Sequence, residues 1–133
     1  MADEILINDG GAPARILPFV AGEAITAGWP VLVHTDGKIR GTEASFALTG
    51  FALNDAAADG DRVNVITGSG IMVNAMCVNN TAIGDYCVTG ANVLDRTANA
   101  GTAGATGTNS DYVAIALGAN SSGGSALTKV LVV

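Results

Sequence analysis

Apolar residues along this chain recur mostly at every second position, with turn-forming residues breaking the pattern at short, regular intervals. A period of two is the spacing of one strand face, because successive side chains point to opposite sides. Short alternating runs between turn signals predict an all-β domain. Pro30 to Thr35 reads as a strand with Val31 and Val33 on one face. Asp36-Gly37 follows, the chemistry of a two-residue hairpin turn whose two positions both take positive φ. Lys38-Ile39-Arg40 begins the return strand. Phe46 to Leu53 is an apolar run interrupted by Gly50, which predicts a bulge. After Asp59-Gly60-Asp61, Arg62 to Thr67 alternates through Val63 and Val65. After Gly68-Ser69-Gly70, Ile71 to Val78 alternates through Ile71, Val73, Ala75 and Cys77. Tyr86 to Thr89 and Val93 to Arg96 flank Gly90-Ala91-Asn92 as a second hairpin, and Tyr112 to Leu117 and Leu127 to Val133 close the domain. No extended window carries a 3.6-residue period free of glycine, and Ala56-Ala57-Ala58 is too short to nucleate a helix alone.

Three segments stand outside this pattern. Residues 1–14 read as an extended N-terminal arm: Glu4 to Asn8 has strand character, and Asp9-Gly10-Gly11-Ala12-Pro13 detaches it from a single β-barrel-like domain over 15–133. Thr97 to Ser110 contains only Thr, Ala, Asn, Gly and Ser, and Ala119 to Ser125 is a shorter loop of the same kind. Loops as long as the first are usually functional or mobile. A faint internal repeat also runs through the chain. Ile25-Thr26-Ala27-Gly28-Trp29-Pro30-Val31 resembles Ala82-Ile83-Gly84-Asp85-Tyr86-Cys87-Val88. Phe51-Ala52-Leu53 is echoed by Ile115-Ala116-Leu117, and Val63-Asn64-Val65 by Val130-Leu131-Val132. The preserved order fits a barrel built from two similar β units, and a Val/Ala/Gly-rich chain also yields such echoes by chance.

Composition narrows the range of partners. At 133 residues the chain is the size of one ordinary domain. Charged residues make up 14% of it, against roughly 25% in a typical soluble domain. Its two lysines are Lys38 and Lys129. Lysine is depleted from the centres of protein interfaces, so a charge-poor surface of this kind fits coverage by other protein. The net charge of −6 and the scattered basic residues disfavour a nucleic-acid backbone and an anionic membrane surface. Met1-Ala2-Asp3-Glu4 places acids where a signal peptide carries bases, and the longest apolar run, Ile16 to Ala21, is too short to span a bilayer. Both features predict a cytosol-like compartment, where Cys77 and Cys87 read as small buried apolar residues rather than a disulfide.

Candidate chemistry is sparse. His34 lies beside a hairpin turn with Asp36 two residues on, and a catalytic triad would need a nucleophile from elsewhere. Thr67-Gly68-Ser69-Gly70 lacks the first glycine of a nucleophile elbow. One histidine and two separated cysteines give no zinc spacing. Asp55, Asp59 and Asp61 do not match a calcium loop and read as solvated turn residues. Gly37-Lys38 lacks the rest of a phosphate loop. Glu23 and Glu43 have no spacing that marks a carboxylate pair, and six aromatic residues are few for sugar platforms. No enzyme, cofactor or metal is expected. Trp29 reads as a core or rim anchor, or as an interface anchor.

Residues in order then carry a resemblance. Ile7-Asn8-Asp9-Gly10-Gly11-Ala12-Pro13-Ala14-Arg15-Ile16 opens the chain, and Ala27-Gly28 and Asp36-Gly37-Lys38 punctuate it. Gly50-Phe51-Ala52-Leu53 then leads to Asp61-Arg62-Val63-Asn64-Val65-Ile66-Thr67-Gly68. From about residue 4 onward the chain resembles small capsid decoration, or cement, proteins of tailed bacteriophages. The specific feature is the order of these segments, and the Thr97 to Ser110 loop has no match in it. The resemblance implies a β-tulip-type barrel without enzymatic activity. It also implies a homotrimer that binds the major capsid protein at local threefold positions on the outer surface of the virion, after synthesis in the host cytoplasm. The arm would then add a strand to a neighbouring edge. Glu4, Ile5, Leu6, Ile7, Asn8, Pro13 and Trp29 are the expected partner-binding residues. Deleting Met1 to Ala12 is expected to leave the domain folded and abolish capsid binding. A β-rich carbohydrate-binding, adhesin-like surface module is the alternative reading, supported by the long polar loops.

Overall fold

The computed structural model describes Ile5 and residues 14–42, 48–96 and 113–133. These residues form an all-β protein without a helix. The strands are β1 (Arg15–Val20), β2 (Pro30–Val33), β3 (Ile39–Gly41), β4 (Gly50–Ala52), β5 (Arg62–Thr67), β6 (Met72–Cys77), β7 (Tyr86–Thr89), β8 (Leu94–Arg96), β9 (Ala114–Ala116) and β10 (Ala126–Val132). The alternating runs all become strands. The strand without a counterpart in the sequence reading is β1, whose apolar run has no polar alternation to mark it.

Two five-stranded units make up the domain. The first is a sheet in the order β1-β5-β4-β2-β3, and the second is a closed barrel in the order β10-β6-β8-β7-β9. Renumbered by position in each unit, the pairings coincide. Phe51 pairs with Ile66 as Ile115 pairs with Leu131, and Val31 pairs with Gly41 as Cys87 pairs with Arg96. The parallel contact between Cys77 and Leu94 that closes the barrel recurs in the first unit as the parallel bridge between Ala21 and Ile39. Turn hydrogen bonds repeat as well: Gly28 N–H donates to Ala52 O, and Gly84 N–H to Ala116 O, each at 2.8 Å. Both glycines take positive φ, +92° and +90°.

The repeat is therefore real, and its register differs from the sequence reading. Gly28 matches Gly84, so the 25–31 segment corresponds to 81–87, one residue earlier than the apparent match. Phe51-Ala52-Leu53 does match Ile115-Ala116-Leu117. Val63-Asn64-Val65 matches Thr128-Lys129-Val130, two residues earlier than expected. Core chemistry explains the slip. Ile25, Ala56 and Val63 are buried apolar residues of the first unit, while their equivalents Thr81, Asn120 and Thr128 are buried and polar. Asn120 holds that end of the barrel together, its Nδ2 donating to the carbonyls of Cys77, Val78 and Gly124 and its Oδ1 accepting from Ser122 N–H.

The first unit seats on the second. Its inner face buries Val31, Ile39, Val63 and Val65 in its own core. Its outer face carries Phe51 and Ile66, which are buried in the core cluster of the barrel, with Ala27, Leu48 and Leu53 packed beside them. Hydrogen bonds lock the contact. Met76 N–H donates to Gly28 O (2.9 Å), Thr42 Oγ1 donates to Gly90 O (2.8 Å), and Asn92 N–H donates to Thr42 O (2.9 Å).

Two turn expectations change. At Thr35-Asp36-Gly37 the loop has three residues closed by His34 N–H donating to Lys38 O, and Gly37 alone takes positive φ. That is a type I turn ending in a left-handed glycine rather than the expected two-residue turn. Gly50 lies in regular pairing with Val31, not in a bulge. A Cβ there would collide with the Ile66 carbonyl, so close approach of β4 to β5 selects glycine. Gly50→Ala should lower the unfolding free energy by about 2 kcal/mol through overpacking. The check is the denaturant midpoint at unchanged slope, and a wild-type midpoint would refute the tight approach.

Candidate interaction surface

β1 forms the outer edge of the first unit. It pairs with β5 along its whole length, from Arg15 against Thr67 to Val20 against Arg62. Ala21 N–H points towards β5, where it donates to Asp61 O. Because backbone groups alternate sides along a strand, Ile16, Pro18 and Val20 face away from β5. Pro18 has no N–H to present there, which suits an outward position on an edge strand. The strand is apolar and exposed on the same stretch: Ile16 is 48% and Val20 44% accessible. Pro18, Phe19, Val20 and Arg62 line a shallow pocket of about 200 Å³.

A second uncovered apolar region lies on the barrel. Ile83 at the turn before β7 is 71% accessible and Leu117 after β9 is 37% accessible. Ile115 and Leu131 beside them are half-buried. Exposed apolar patches on an otherwise packed domain mark contact with other protein or ligand.

Of the expected partner-binding residues, Glu4, Leu6, Ile7, Asn8 and Pro13 lie outside the described residues. Ile5 is described, and it packs within its own chain. Its side chain is buried in the barrel core, and its carbonyl accepts from Asn74 N–H at 2.7 Å. The arm is thus tied to its own domain at this point, and deleting Met1 to Ala12 would remove a core side chain. Trp29 is half-buried and packs against the core of the first unit, which fits the anchor reading. Its ring also lies beside Gly41 where that residue meets Asn92 of the barrel. Ile16, Leu17, Val20, Ile83 and Leu117 were not singled out by sequence. The one signal for β1 was the apolar run itself, and the signal for Ile83 is visible only once the repeat is in register.

The polar candidates have structural partners. Lys38 Nζ donates to Asp59 Oδ1 (2.8 Å), and Arg40 Nη2 donates to Asp36 Oδ2 (3.1 Å). The Lys38 backbone N–H, followed by Arg40, holds the Asp36 carboxyl below its ordinary range. Asp55 Oδ1 accepts from Ala27 N–H, and Asp61 Oδ2 accepts from Ala57 and Ala58 N–H. Glu23 Oε2 accepts from Gly41 N–H. Asp85 is buried, with Oδ2 accepting from Ala82 N–H while Oδ1 has no hydrogen-bond partner among the described residues. Among the described residues no group of three or more His, Cys, Asp or Glu side chains is placed to hold a metal ion.

Cys77 and Cys87 are buried free thiols, equivalent to Ala21 and Val31 of the first unit. The hydrogen bond to Cys77, then burial, then the nearby carboxylates of Asp85 and Asp95 push the Cys87 thiol up. The folded chain therefore keeps a proton that the unfolded chain releases above about pH 8.5. Stability should fall as pH rises past that point, by up to about 1.4 kcal/mol per pH unit. Denaturant unfolding between about pH 8 and 10 tests this: Cys87→Ala should show a flatter slope, and parallel slopes would exclude the thiol as the cause. Ile5→Ala should cost about 2–4 kcal/mol by leaving a cavity in the barrel. A loss below about 0.5 kcal/mol, the scale of surface substitutions, would place Ile5 outside the core.

No protein-family model matches this chain. No characterised protein matches it either.

Proposed function

We propose that this chain is a structural virion protein that decorates and stabilises a phage capsid, binding the major capsid protein lattice as a trimer at local threefold positions. The observation that carries a binding role is the uncovered apolar edge at β1, with Ile16, Leu17 and Val20 exposed on one strand. A strand edge can bind protein by adding main-chain hydrogen bonds, with side-chain pockets giving specificity. The capsid as partner rests on the order of segments from Ile7 to Gly68. Low charge and two lysines suit a surface that spends its life against other protein. A cementing role also needs many modest contacts rather than one deep site, because linked subunits gain avidity without stronger individual contacts.

Electron microscopy of virions purified from the phage whose genome encodes this chain tests the proposal. The expected result is density for the chain on the outer capsid surface at threefold positions, with virions lacking it breaking open at lower temperature. Virions that carry no copy of the chain would overturn it.

A further inference from the structure

The contact between the two units is one-sided, and that carries an inference. The barrel offers the β6 edge, where Met76 N–H donates to Gly28 O of the first unit and Asn74 N–H donates to Ile5 O. By the repeat, Val20 is the equivalent of Met76, Pro18 of Asn74, and Gly84 of Gly28. A two-fold contact between like units would also pair Val20 with Gly84. Instead both are exposed. The contact is therefore heterologous, a head on one unit meeting a tail on the other, and contacts of this kind propagate into rings or filaments.

The side chains follow the same logic. The tail of the first unit is Ala27, Phe51, Leu53 and Ile66, all packed against the barrel core. The same positions in the barrel are Ile83, Ile115, Leu117 and Leu131, every one apolar. Ile83 and Leu117 are exposed, and Gly84 has open space where a Cβ would stand, whereas a Cβ on Gly28 would collide with Leu127. At the head, the place of Leu127 is taken by Arg62, which with Pro18, Phe19 and Val20 lines the shallow pocket at the β1 edge. One chain thus carries an unused tail on its barrel and an unused head on β1.

We propose that copies of this chain associate head to tail, the Ile83-Gly84 turn and Leu117 of one copy seating on the β1 edge of the next as the first unit already seats on the barrel. Val20 N–H is then the donor to Gly84 O of the neighbouring copy. Three chains closing on themselves would set six like units in a ring. The interface follows from the repeat and does not depend on the capsid reading, so a chain absent from virions would leave it standing.

Sedimentation velocity on the purified full chain tests it. The wild type should form multimers at micromolar concentration, and Ile83→Glu and Val20→Asp should each weaken association by at least about 100-fold. Mixing the two variants restores one intact interface, so a one-to-one dimer and nothing larger should appear. A monomeric wild type, unchanged association of both variants, or no dimer from the mixture would each overturn the proposal. A gain-of-contact measurement guards against loss of folding. Val20→Cys with Ile83→Cys in one chain should give covalent multimers under mild oxidation, while each single variant stays short of them. Equal ladders from the single variants would place the contact elsewhere.

Discussion

Coverage of the β6 edge is the constraint from which most of the described structure follows. A strand edge leaves a row of backbone donors and acceptors to be satisfied. On β6 those donors include Asn74 and Met76, and they are met by carbonyls from Ile5 and Gly28 rather than by another full strand. Placing Gly28 there sets the outer face of the first unit against the barrel, so that Phe51 and Ile66 complete a core mostly built by the second unit. The missing side chain at Gly28 is a requirement of that contact, because a Cβ there would collide with Leu127, whereas its left-handed backbone recurs at the uncovered Gly84 and belongs to the turn itself.

One five-stranded plan appears twice, and unlike residues at matched positions explain why the sequence shows it only faintly. Strand positions were legible because alternation is a local property: Val63 and Val65, or Val73 and Ala75, declare a buried face without reference to anything distant. The register of the repeat is a long-range property. It was obscured where Ile25, Ala56 and Val63 gave way to Thr81, Asn120 and Thr128, because a hydrogen-bonded plug replaces apolar packing at that end of the barrel. The connection between the third and fourth strands of each unit also differs, covering 42–49 in the first unit and 97–113 in the second, which shifts every later match.

The interaction surface was less legible than the fold, for a related reason. Ile5 and Trp29 were conspicuous by residue type, yet both pack within the chain. Ile83 looks like any apolar residue in a strand-rich sequence. Its exposure acquires meaning only beside Ala27, which occupies the same place in the first unit and is covered. β1 hid for the opposite reason. Its run from Ile16 to Val20 is apolar on both faces, so no alternation distinguishes it from a buried segment.

Pro18 gives that strand a further property. An exposed apolar strand with a complete set of outward N–H groups can recruit identical strands without limit and seed fibrous aggregates. With proline at the middle outward position, the ladder is broken between Ile16 and Val20. The edge can accept a short, shaped partner that needs one or two main-chain bonds, but an extended strand in full register finds a gap at its centre. Sticky surface and protection against runaway polymerisation are thereby combined in six residues.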